Sequence, residues 1–187
     1  MTVYMYTPFK DDGGVLHSID MWQSNVRDTT VEVKFNELDK VPEGEPLFIN
    51  GHGYVMMPYI GGTKAQRLDF AALGQRLIDD GLKKTHRKIV IWACYCGDGA
   101  KQKVGFAYWF WHWMHTHGFA VLTVYAYTEV TVDPMCKRDP PICVKIDPKK
   151  ERLTEGWMTE LPGTAKDYRI RIDATGAVAG INHPVDD

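Results

Sequence analysis

The chain alternates between short runs of period two and longer runs of helical period. Val31, Val33 and Phe35 alternate with Glu32 and Lys34, the pattern of a strand with one buried face. Residues 3–6 are aromatic and β-branched and read as a strand, and Asp11-Asp-Gly-Gly14 reads as a turn. Residues 18–26 put Ile19, Trp22 and Val26 on one face, which predicts a short helix. Leu47, Phe48 and Ile49 form a short apolar run after the loop 42–46, and it breaks at Asn50-Gly-His-Gly53. Phe70, Leu73, Leu77 and Ile78 have helical spacing, with Asp69 as cap and Gly81 as stop. Residues 88–93 make the strongest strand. Its three consecutive branched residues, Ile89, Val90 and Ile91, predict burial on both faces, as in a parallel sheet. Residues 103–117 predict a helix that is apolar nearly all round and closes at Gly118. Residues 120–132 are β-rich, and Val121, Leu122 and Val124 favour a buried strand. A proline-rich loop spans 133–141, and 144–146 and 168–172 read as late strands. The glycine-rich tail from about residue 174 reads as mobile.

Strands alternating with helices predict a three-layer α/β sandwich: a mostly parallel central sheet with helices on both faces. The 187 residues carry no repeat and no internal linker, so a single domain over 1–187 is expected. A hydrophobic content of 44% and a charged content of 25% are those of a folded soluble protein. A net charge of −2 gives no basic excess for a phosphate backbone, so no nucleic-acid partner is expected. The aromatic run 104–114 is too short to span a bilayer and contains His112. No basic flank precedes an apolar stretch at the N-terminus. Cytoplasmic synthesis without a Sec signal peptide is therefore expected, and export by a signal-less machine stays open. Four cysteines, Cys94, Cys96, Cys136 and Cys143, are too few for a disulfide scaffold. Cys136 and Cys143 flank a proline-containing turn and either pair in an oxidising environment or remain two thiols.

Two strand ends carry the candidate chemistry. One delivers His52 between two glycines, and the other delivers Cys94 ahead of a glycine loop and a helix. Ligands of open α/β sheets bind at the carboxyl ends of the strands. If the two strands are neighbours, an imidazole and a thiol about 42 residues apart in sequence emerge at one edge. A thiolate rather than a thiol is the nucleophile, and a nearby histidine or a helix N-terminus favours it. Gly97-Asp-Gly99 leads toward the helix near Lys103, so that helix start is expected to face Cys94. The backbone amides of Gly53 and Cys94 are the expected oxyanion hole. Asn50 and Asp98 are candidate supporting groups.

The segments Phe48-Ile-Asn-Gly-His-Gly53 and Ile89-Val-Ile-Trp-Ala-Cys-Tyr-Cys-Gly97 resemble those of the caspase-like cysteine peptidases, the clan that includes caspases, legumains, gingipains, clostripain and separase. In caspases the histidine likewise precedes the cysteine by roughly 50 residues. The resemblance covers about residues 45–130. It implies a caspase-like fold, Cys94 as nucleophile and His52 as its acid–base partner. It also implies oxyanion amides at Gly53 and Cys94, peptide or protein substrates and no cofactor. Cys96 falls where legumain-like members carry a small polar residue. Tyr95 stands where caspases carry an arginine, so a preference for aspartate is not implied. No specificity-pocket residue carries over.

Taken singly, Cys94 reads as a buried structural thiol and His52 as a turn histidine; their pairing at two strand ends reverses that reading. Cys96 reads as a packing residue rather than the nucleophile. The aromatic helix 104–114 reads first as a helix packed on the sheet and second as a partner surface. Cys94, Cys96, Cys136, Cys143, His112, His115 and His117 fit no familiar zinc spacing, so no metal is expected. Cys-x-Cys is not the redox spacing, and no phosphate or dinucleotide motif is present. The expected function is a cysteine-type endopeptidase, with a secreted bacterial effector as one setting by analogy. The alternative is a catalytically inactive module of the same fold that binds a partner.

Overall fold

The computed structural model describes residues 2–26, 30–55, 57–63, 66–132, 142–146, 158–162 and 165–180. Strand β1 (Thr2–Tyr6) leads through helix α1 (Gly13–Asn25) to β2 (Thr30–Lys34) and then to β3 (Leu47–Asn50). A small hairpin, β4 (Tyr59–Gly61) and β5 (Arg67–Asp69), precedes helix α2 (Phe70–Asp79). Next come β6 (Lys88–Trp92), helix α3 (Phe106–Thr116) and β7 (Thr123–Tyr127). The remaining strands are β8 (Val130–Val132), β9 (Ile142–Ile146), β10 (Met158–Glu160), β11 (Arg169–Ile172) and β12 (Val178–Gly180).

Seven strands form one sheet in the order β12-β11-β7-β6-β3-β1-β2. The five from β2 to β7 run parallel, and β11 and β12 complete the sheet antiparallel. Strands β8, β9 and β10 make a separate antiparallel sheet. The continuous apolar run of β6 is explained by its central place. Ile89 and Ile91 face a core built with Leu73 and Leu77 of α2 and with Phe106, Phe110 and Met114 of α3. Val90 and Trp92 face the other core, with Ile19 and Trp22 of α1 and Tyr127 of β7. The molecule is thus an α/β fold with a mostly parallel sheet and helices on both faces.

Three boundaries differ from the sequence reading. Helix α1 begins at Gly13, five residues early, because the buried Asp12 carboxylate accepts from the amides of Gly14 (3.0 Å) and Val15 (3.3 Å) and so caps the helix. The stretch 120–132 is not one strand: it breaks at Thr128 and Glu129, and β8 joins the small sheet. Within the tail, Val178–Gly180 forms a strand that the sequence reading did not expect and pairs with β11 in register. Residues 181–187 lie outside the described residues.

Candidate functional site

Strands β3 and β6 are parallel neighbours, with Asn50 opposite Trp92. Their ends therefore deliver the next residues side by side. The Gly51 amide still donates to the Trp92 carbonyl (3.4 Å), which carries the pairing one residue further. His52 is then fixed from its other side. Its amide donates to the Gly61 carbonyl (2.7 Å) and its carbonyl accepts from the Gly61 amide (2.8 Å), so the β4 strand holds its backbone while its side chain stays exposed. Gly53 lies directly on Cys94. A Cβ added at Gly53 would fall on the Cys94 carbonyl oxygen and 2.9 Å from the Cys94 nitrogen. Only glycine lets the two backbones approach this closely.

Cys94 is half-buried, and its Sγ lies 3.7 Å from the Thr131 hydroxyl and 3.8 Å from the Thr131 carbonyl. Tyr95 turns the chain with φ of +57°, a left-handed conformation that costs a non-glycine residue on the order of 1 kcal/mol. The loop after it is tied to the end of β7. The Tyr95 amide donates to the Glu129 carbonyl (3.3 Å), and the Gly97 amide donates to the Tyr127 carbonyl (2.7 Å). The strained turn thus sets the nucleophile candidate at the sheet edge against both neighbours.

Burial pushes the Cys96 thiol well up, with the charge of Cys94 a second cause, and Cys96 packs in the main core. Burial likewise pushes the Cys143 thiol up to about 12. Both stay protonated, which leaves Cys94 as the accessible thiol among the described residues. Cys143 is a free thiol, and Cys136 lies outside the described residues.

His52 and Cys94 line one pocket of about 100 Å³. The residues following β1 contribute Gly14, Val15 and Ser18, and Thr131 closes it from β8. In the strand order the chain leaves β1 toward β2 and returns to β3 on the other side. The pocket therefore sits where the order reverses, at the carboxyl ends of the strands, the place where open α/β sheets form a crevice. No family model matches the chain, and no curated protein matches it. The site stands on its own geometry.

Other expected residues lie at varied places. Asn50 is buried at 3% exposure in the pocket wall, where its Nδ2 donates to the Val15 carbonyl (3.1 Å) and ties β3 to α1. Asp98 instead lines a separate concavity of about 260 Å³, with Glu129 and Arg169. Burial and the neighbouring Glu129 carboxylate raise the Asp98 carboxyl. Helix α3 starts against the loop that carries Cys94. It begins at Phe106 because Lys103 (φ +59°) and Gly105 (φ +85°) are both left-handed, and its Ala107 amide donates to the Cys96 carbonyl (3.1 Å). On α3, Phe106, Phe110, Trp111 and Met114 are buried and Trp109 is 41% exposed. Among the described residues no three metal-ligating side chains gather, and no helix is long and apolar enough to cross a membrane.

Thr131 and Ser18 are site residues that the sequence reading missed. Neither sits in a motif, and Thr131 reaches Cys94 only because the chain breaks at residues 128–129. No local signal marks either one.

Proposed function

We propose that the protein is a cysteine-dependent peptidase of caspase-like type, working through Cys94 and His52. The observation that carries this reading is the backbone contact of Gly53 with Cys94, which sets the histidine-bearing and cysteine-bearing strand ends against each other at one pocket. The resemblance of the two strand-end motifs to those peptidases supports it.

In this reaction the Cys94 thiolate attacks the carbonyl carbon of the scissile bond, and the carbonyl electrons move to oxygen. The amides of Gly53 and Cys94 hold the oxyanion. The tetrahedral species collapses, the C–N bond breaks, and protonated His52 gives its proton to the leaving amine. A thioester to Cys94 remains. His52 then takes a proton from water, the hydroxide attacks the thioester, the C–S bond breaks, and the acid product leaves with the Cys94 thiolate and protonated His52 restored. Exposure of the His52 side chain suits a group that must reach both an amine and a water.

Hydrolysis of a mixed peptide library by wild type, Cys94→Ala and His52→Ala tests the reading. Each variant is expected to keep the wild-type circular dichroism spectrum and to lose activity by about 10²–10⁴-fold. Full hydrolysis by Cys94→Ala rules the assignment out. A second reading, a module of this fold that binds a partner without catalysis, is favoured by Trp109, which is 41% exposed on α3. It requires wild type to release no peptide fragment from the library.

A further inference from the structure

We infer that the pocket shared by Cys94 and His52 receives the side chain on the acyl side of the cleaved bond and selects a small, uncharged residue such as alanine, serine or asparagine. This rests on the peptidase reading above and names its substrate class. The side chain one bond from the attacked carbonyl is the one that a pocket touching both the sulfur and the imidazole receives.

Size comes first. At about 100 Å³ the pocket is smaller than the ~150 Å³ cavity that holds a benzene molecule. It therefore fits a small side chain better than an aromatic ring or the full length of arginine or lysine. Charge comes second. Apart from His52 and Cys94, no lining residue is ionisable; the polar groups are the Ser18 and Thr131 hydroxyls and the Asn50 amide. An ammonium, guanidinium or carboxylate placed there loses its water without gaining a counter-charge, which costs several kcal/mol in general. The one buried carboxylate nearby in sequence, Asp12, is already engaged. It accepts from the amides of Gly14, Val15 and Thr63 and from the Thr63 hydroxyl, and so fixes the loop rather than facing a ligand. Hydrogen-bonding groups that are neutral favour a short polar or methyl side chain over a longer apolar one.

The test is the rate of Cys94 modification, read by intact-mass spectrometry, with peptidyl acyloxymethyl ketones that differ only in the residue next to the ketone. The alanine, serine and asparagine probes are expected to react at least about tenfold faster than the phenylalanine, arginine and aspartate probes. Ser18→Ala, a helix-compatible change, removes a wall group. It is expected to raise the leucine-to-alanine rate ratio by about fivefold. An arginine, aspartate or phenylalanine probe that reacts fastest, or an unchanged ratio in Ser18→Ala, overturns the pocket assignment and leaves the peptidase reading standing. If no ketone modifies Cys94 while iodoacetamide does, both fall together.

Discussion

Gly53 is the position where one methyl group decides the site. Its missing Cβ is occupied by the Cys94 peptide, so Gly53→Ala must push two strand ends apart. The expected outcome is a loss of about 1–3 kcal/mol in chemical denaturation, accompanied by loss of peptide hydrolysis. The sequence reading singled out Gly53 as an oxyanion amide. Its close packing on Cys94 was not legible, because it depends on a neighbouring strand. The left-handed Tyr95 was equally hidden, since a tyrosine carries no signal for positive φ. Asp98 supplies a second expectation. Burial and Glu129 raise its carboxyl, so the fold disfavours the ionised form. Stability is then lost as pH rises from about 3.9, the unfolded value, through the raised folded value. Asp98→Asn is expected to unfold at a higher temperature than wild type at pH 7, and at the same temperature near pH 3.

The elements were legible where their period was long and their ends simple. Strand β6 matched its reading because a central parallel strand buries both faces, and α2 matched because Asp69 caps it through the Ala72 amide (2.7 Å). Strands β4, β5, β10 and β12, each three residues long, were missed, as such runs carry too little pattern to read. Two contacts between elements make predictions. Gly74 of α2 meets the Trp113 ring of α3, and a Cβ there would overlap it. Gly74→Ala is therefore expected to destabilise the fold in thermal unfolding, although alanine is the better helix former. His86, just before β6, is buried, and burial lowers its pKa despite the bond its Nε2 donates to the Lys88 carbonyl (2.9 Å) and the nearby Glu43. The unfolded chain binds a proton near pH 6.5, while the folded chain does so only at lower pH. Stability is then whole above about 6.5 and falls as pH drops through 6.5 toward the folded value. Thermal unfolding of His86→Gln is expected to vary less between pH 7 and pH 5 than that of wild type.

Across the whole molecule, the α/β class followed from the alternation of strand and helix periods, but the strand order did not. Nothing in the pattern says that the chain crosses from one side of β1 to the other, yet that reversal creates the crevice between the residues after β1 and those after β3. The two chemically distinctive residues were legible because each follows a strong strand. Their adjacency depended on β3 and β6 being neighbours. The edges of the sheet differ in kind. Strand β2 carries Glu32 and Lys34, whose ion pair measures 3.1 Å, and β12 is only three residues long; both features blunt an edge against pairing with another chain. Truncation after Asp173 removes β12 and lays β11 open, and sedimentation is expected to show concentration-dependent self-association.

The central claim is that an exposed imidazole and one particular sulfur work as a pair. Iodoacetamide at neutral pH, followed by peptide mapping over time, measures this directly. Cys94 is expected to be alkylated at least about tenfold faster than Cys96 or Cys143, and His52→Ala is expected to slow Cys94 by a comparable factor. Alkylation of Cys94 at the same rate with and without His52, or no faster than that of the two buried thiols, contradicts the account.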